Sequence, residues 1–154
     1  MRILIAAALA LLSASALGAQ TISASTDLAT ATPITGNWSY AATADGSEAV
    51  FSNASSFPQL WVRCVRSTRR VSIAKPATAA AAFLNVWTSS LTQSVAASFD
   101  PATGRLSIEL GAFDPLLDAI ASSRGRVGFS VANQAALVVP PWAEAARVIE
   151  DCRA

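Results

Sequence analysis

From residue 37 onward, apolar side chains recur at every second position in short runs broken by turn-forming residues, the pattern of half-buried β-strands. Trp38, Tyr40 and Ala42 alternate with polar or small neighbours, and Ala44-Asp45-Gly46 turns into Ala49-Val50-Phe51. Residues 53–58 have loop composition. In the run at 60–65, Leu60, Val62 and Cys64 share one face of a strand, and Trp61 and Arg63 share the other. Ser67-Thr68-Arg69-Arg70 then turns into Val71-Ser72-Ile73, which Pro76 stops, and further strand runs are predicted at 83–88 and 95–99. Asp100-Pro101-Ala102-Thr103-Gly104 is a hairpin loop leading into the alternating Leu106, Ile108 and Leu110.

The period changes after residue 112. Asp114 is a good N-cap with Pro115 at the first helical position, and Gly125 is a good stop. Phe113, Leu116, Leu117 and Ile120 repeat at helical spacing, which predicts one buried stripe. Strands are predicted at 126–131 and 136–139, joined at Asn133-Gln134, and Pro140-Pro141 opens a last helix. Its apolar face carries Trp142, Ala145, Ala146 and Ile149, with Cys152 on the flank. Glu144, Arg147 and Asp151 occupy the other side, Arg147 and Asp151 at ion-pair spacing. The expected fold is mostly β: a two-layer antiparallel β-sandwich-like domain with two short helices, spanning residues 36–154. Residues 20–35, rich in Ser, Thr and Ala, read as a flexible lead-in.

Residues 1–19 have the form of a secretory signal: Arg2, the apolar run from Ile3 to Leu12, then small residues up to Ala16-Leu17-Gly18-Ala19. That run is ten residues long, short of the roughly 20 that cross a bilayer as a helix. The expectation is a periplasmic or secreted protein with no membrane span after signal cleavage. Export changes the meaning of the two cysteines. In an oxidising compartment, Cys64 and Cys152 should form a disulfide, because both fall on core-facing surfaces.

Charge and chemistry narrow the function. Without Arg2, ten Lys/Arg oppose ten Asp/Glu (11 − 1 = 10 against 10), so binding to nucleic acid through bulk charge is not expected. The chain contains no histidine, which removes Ser-His-Asp and Cys-His catalysis and the usual zinc sites. Ser72-Ile73-Ala74-Lys75 matches the S-x-x-K of β-lactamases, but on a strand the two functional side chains point to opposite faces. Carboxylates capable of glycosidase chemistry have better local explanations, Asp114 as a cap and Asp118 as a solvated helix residue. No catalytic residue, cofactor or metal is expected.

The binding candidates are Trp61, Arg63, Arg66, Arg69 and Arg70. Arg63 faces away from Cys64 and the other three arginines crown the following turn, where they would grip an anionic partner such as a glycan, a lipid headgroup or the acidic surface of an envelope protein. Trp61 lies beside Arg63 and is the best surface candidate among the four tryptophans. A second reading makes the protein an inhibitor of a lysozyme-like or protease enzyme, entering the cleft with a rigid loop at 53–58.

The order of these pieces resembles small periplasmic proteins of the TagO/VasI type, associated with type VI secretion. The shared elements are the early Trp38, the strand Trp61-Val62-Arg63-Cys64, the apolar helix after Pro115, two strands, a short helix and the near-terminal Cys152. The resemblance implies a non-enzymatic β-sandwich-like domain.

Overall fold

A computed structural model of the chain describes residues 27–28, 30–141 and 143–154. The signal-like segment, the start of the lead-in and Trp142 lie outside the described residues. The elements in chain order are β1 (Gly36–Thr43), β2 (Gly46–Asn53), β3 (Pro58–Val65), β4 (Arg70–Pro76), β5 (Phe83–Trp87), β6 (Thr92–Ala96), β7 (Ser98–Asp100), β8 (Arg105–Gly111), α1 (Pro115–Ala121), β9 (Val127–Ser130), β10 (Leu137–Val139) and α2 (Ala143–Asp151). They form two antiparallel sheets, one of order β1-β2-β3-β4-β8-β7 and one of order β10-β9-β5-β6.

The alternation of the strands decides which face meets the core. Leu60, Val62 and Cys64 of β3, Val71 and Ile73 of β4, and Leu106 and Ile108 of β8 are all buried. From the smaller sheet, Leu84, Val86 and Phe129 join the same cluster, as do Leu116, Leu117 and Ile120 of α1. Helix α2 packs on β1, β2 and β3 and on α1, while β5 meets β8. Its buried side chains are Ala145, Val148 and Ile149. Beside this helix, Trp38 lies 5.5 Å from Phe51, centroid to centroid, and donates its indole N–H to the Pro140 carbonyl at 3.0 Å.

The Cys64–Cys152 disulfide joins β3 to the residue after α2, with the two Cα atoms 5.5 Å apart. Close packing at this point also depends on Gly46, where a Cβ would collide with the Cys64 carbonyl. The described part of the lead-in runs against the smaller sheet. Ile34 N–H donates to the Val138 carbonyl at 2.9 Å and Arg126 Nη1 to the Ala31 carbonyl at 2.8 Å. The Leu28 side chain lies against Gly128, where a Cβ would meet it at 3.2 Å.

Four local expectations are corrected. The single strand expected at 95–99 is two strands in different sheets, β6 and β7. Ala97 marks the crossing, and its N–H donates to the Ala82 carbonyl at 2.9 Å. Phe113 is 64% exposed rather than part of the buried stripe. It precedes the cap Asp114, whose Oδ1 accepts from Leu116 N–H at 2.9 Å, so helical phase does not apply to it. Helix α1 ends at Ala121, ahead of Gly125, with Ser122 as its C-cap at φ −95° and ψ 1° and its hydroxyl donating to the Asp118 carbonyl at 2.7 Å. Arg147 and Asp151 do not pair directly among the described residues. Both turn to Tyr40 instead: Arg147 stacks over its ring at 4.0 Å and Asp151 Oδ2 accepts its hydroxyl at 2.7 Å.

That last contact ties α2 to β1 and holds the Asp151 carboxyl below its ordinary pKa. The Tyr40 hydrogen bond is the main cause, opposed by burial, with Arg147 and Arg66 adding smaller attractions. A carboxylate with a lowered folded-state pKa contributes stability above its unfolded value of about 3.9, and loses it as pH falls through the folded value. Tyr40→Phe should therefore cost about 1–2 kcal/mol at neutral pH, and the cost should shrink below about pH 4. Equilibrium unfolding of both proteins across pH 2–7 checks this.

Candidate binding surfaces

The outer face of the larger sheet collects most of the residues singled out for binding. Trp61 and Arg63 leave β3 on the side opposite Cys64, as alternation requires. The register sets Arg63 beside Glu48 of β2 and Ser72 of β4, and Ser72 beside Glu109 of β8. These neighbours complete a mixed-charge row. Arg63 Nη2 bonds both oxygens of Asp45, at 2.8 and 3.0 Å, and its Nη1 lies 3.8 Å from Glu48. The Arg63 hydrogen bond, helped by Thr43, holds the Asp45 carboxyl below the usual range. Arg70 reaches Glu109 at 3.5 Å.

Trp61 has its own cation. The Arg105 guanidinium lies over the indole at 3.7 Å from the centroid, a cation–π stack that covers the ring. Arg66 and Arg69 stay exposed in the β3–β4 turn, with Arg69 in the left-handed region at φ 50°. The five residues thus fall in one region, but Arg63 and Arg70 spend their charge on carboxylates of neighbouring strands. Asp45, Glu48, Glu109 and Arg105 escaped the sequence reading because cross-strand register is not written in a single run.

Lys75, the chain's single lysine, alternates with Val71 and Ile73 and so faces inward. It is only 7% exposed, and its Nζ donates to the Pro76 carbonyl at 3.0 Å. Burial pushes its pKa below the usual lysine range. Ser72 projects to the opposite face of β4. A depressed lysine pKa means that the unfolded chain holds more protons between the folded value and the unfolded value of about 10.4, so stability rises with pH across that window. Lys75→Met should stabilise the protein at neutral pH by about 1 kcal/mol and flatten that rise. Urea titrations from pH 7 to 11 would contradict this if the two proteins ran parallel.

At the β2–β3 turn the chain builds a rigid tip. Asn53 Oδ1 accepts from Ser55 N–H and from Phe57 N–H, both at 3.0 Å. Its own N–H donates to the Phe57 carbonyl at 3.0 Å, and Ser56 N–H donates to the Asn53 carbonyl at 2.9 Å. Ser56 takes φ 64° to close the turn, and Ala54 N–H ties the loop to the Thr35 carbonyl at 3.1 Å. An asparagine at a loop entry is the right residue for this, since its side chain imitates a backbone turn. On the tip, Phe57 is 66% exposed, the most exposed of the large hydrophobic side chains among the described residues.

Among the described residues no group of His, Cys, Asp and Glu could hold a metal ion, and no helix is long and apolar enough to cross a membrane. Comparison with family models, curated proteins and solved structures finds no match.

Proposed function

We propose that this is an exported, non-enzymatic protein of the cell envelope that docks a protein partner through the hairpin tip at 53–58, with Phe57 as the anchor. The observation that carries the reading is a large aromatic ring left to water on a loop already locked by its own hydrogen bonds. Exposing phenylalanine gives the isolated fold nothing, whereas a preorganised loop meets a partner without the entropy cost of ordering it. Buried aromatic anchors also dominate binding energy at interfaces. The tip carries no charged residue, so the complementary surface is an uncharged, apolar pocket.

The arginine surface takes a secondary part in this reading. With Arg63 and Arg70 paired to carboxylates, Arg66 and Arg69 remain to steer an acidic partner. The disulfide and the signal-like N-terminus support an oxidising compartment, the periplasm or beyond.

The narrow, self-braced tip also favours a second reading, inhibition of a lysozyme-like or protease enzyme by insertion into its cleft. An inhibition panel separates the two. If the tip blocks a cleft, one enzyme class loses activity with the wild-type protein and keeps it with Phe57→Ala. If it docks a non-enzymatic partner, the panel is unaffected, while an immobilised wild-type domain retains a partner that Phe57→Ala does not.

A further inference from the structure

We infer a second ligand site, for a neutral oligosaccharide, on the outer face of the smaller sheet. A groove of about 410 Å³ opens there, lined by residues 80–83, Asn85, Ser94, Val131, Ala132 and Gln134. That volume falls within the roughly 300–1,000 Å³ of small-molecule sites. No ionisable side chain lines it.

Three features of the lining point to one kind of ligand. Phe83 is the first, 54% exposed at the edge of β5, where alternation sends it outward while Leu84 and Val86 are fully buried. The second is the pair Asn85 and Ser94, direct partners across β5 and β6. The Ser94 hydroxyl donates to Asn85 Oδ1, which fixes the amide and leaves both N–H groups of Nδ2 without a protein partner among the described residues. Gln134 is the third. It follows Asn133, whose φ of 62° turns the β9–β10 loop, and its side-chain amide also makes no hydrogen bond among the described residues.

An exposed ring beside two unspent amides, the Asn85 one held in place by Ser94, matches a sugar, which offers a CH-rich face for stacking and hydroxyls that both donate and accept. An anionic ligand finds no countercharge in the groove. A purely apolar ligand would leave the Asn85 and Gln134 amides dry and unsatisfied. Nor does the groove invite an extended peptide to pair as a strand. Its floor is the face of the β5–β6 pair, where Asn85 and Ser94 are cross-strand partners, and not the free edge of β6, the outer strand of this sheet. Trp87, four positions beyond Phe83 on the same strand face, places a second aromatic side chain about 13 Å further along β5.

Isothermal titration with uncharged tri- and tetrasaccharides, glucose oligomers and N-acetylglucosamine oligomers, tests the site. The expected result is binding of one family with Kd between about 10 µM and 1 mM, weakened about tenfold or more by Phe83→Ala and by Asn85→Ala. Both positions are on the surface, so the melting temperature of each variant should stay near wild type. Phe57→Ala should bind the sugar as the wild type does, which keeps this site separate from the hairpin tip. Absence of binding at millimolar sugar, binding indifferent to Phe83→Ala, or preference for anionic glycans or uncharged peptides would overturn it.

Discussion

Removing the disulfide, by reductant or by the double substitution Cys64→Ala with Cys152→Ala, should lower the unfolding free energy by about 4–5 kcal/mol. The bond spans 88 residues of sequence, and cross-linking so long a loop withdraws much of the unfolded chain's freedom. Domains of this size hold only about 5–15 kcal/mol in total, so the reduced protein should be marginal, with a melting temperature about 10–20 °C lower. The loss should begin at α2. That helix is nine residues long, too short to persist alone, and it meets the sheet through Cys152, Val148, Ile149 and the Tyr40–Asp151 contact. Arg153 adds a second fastening beyond the bridge, reaching Asp118 at 2.7 Å, Glu150 at 3.1 Å and the Ala112 carbonyl at 2.9 Å. Amide exchange in reduced protein should therefore accelerate first across residues 143–151. An unchanged melting temperature in reductant would refute the structural role of the bridge.

Phe57→Ala should produce the largest functional effect, a loss of partner affinity of about 2–4 kcal/mol, or roughly 30- to 1,000-fold. Stability should move by less than about 0.5 kcal/mol, because an exposed ring contributes little to the core. Asn53→Ala makes the complementary test. It keeps the anchor but removes the acceptor that fixes Ser55 and Phe57, so affinity should fall through a loop that must be ordered on binding. A binding curve in which Phe57→Ala equals wild type would remove the tip from the interface.

The sheet layers were legible in the sequence because alternation is a local signal. Leu60, Val62 and Cys64 could be placed inward, and Asp114 with Pro115 could be placed at a helix start, from neighbours alone. The disulfide was legible because each cysteine sits on a face set by its own element. What the sequence hid was everything that depends on partners distant along the chain. Arg63 reads as a free cation until register places Asp45 and Glu48 beside it, and Trp61 reads as open until Arg105 covers it. Arg147 and Asp151 read as a helical ion pair until Tyr40, more than a hundred residues away, takes both. The exposed Phe57 was hidden differently: the inhibitor reading already asks for a rigid loop at 53–58, but only the Asn53 hydrogen bonds show what braces it, and only the fold leaves the Phe57 ring in water. Phe83, Asn85 and Gln134 carried no motif at all, since the groove joins a strand face to a turn from another part of the chain.

The most direct test of the hairpin tip as the docking element is site-specific photocrosslinking in the organism that makes the protein. Phe57→p-benzoylphenylalanine should capture one defined protein partner on irradiation. The same replacement at Phe113, nearly as exposed at 64% but lying 5.7 Å beneath the Arg153 guanidinium, should capture none of it. A partner trapped equally from both positions, or none trapped from position 57, would contradict the account.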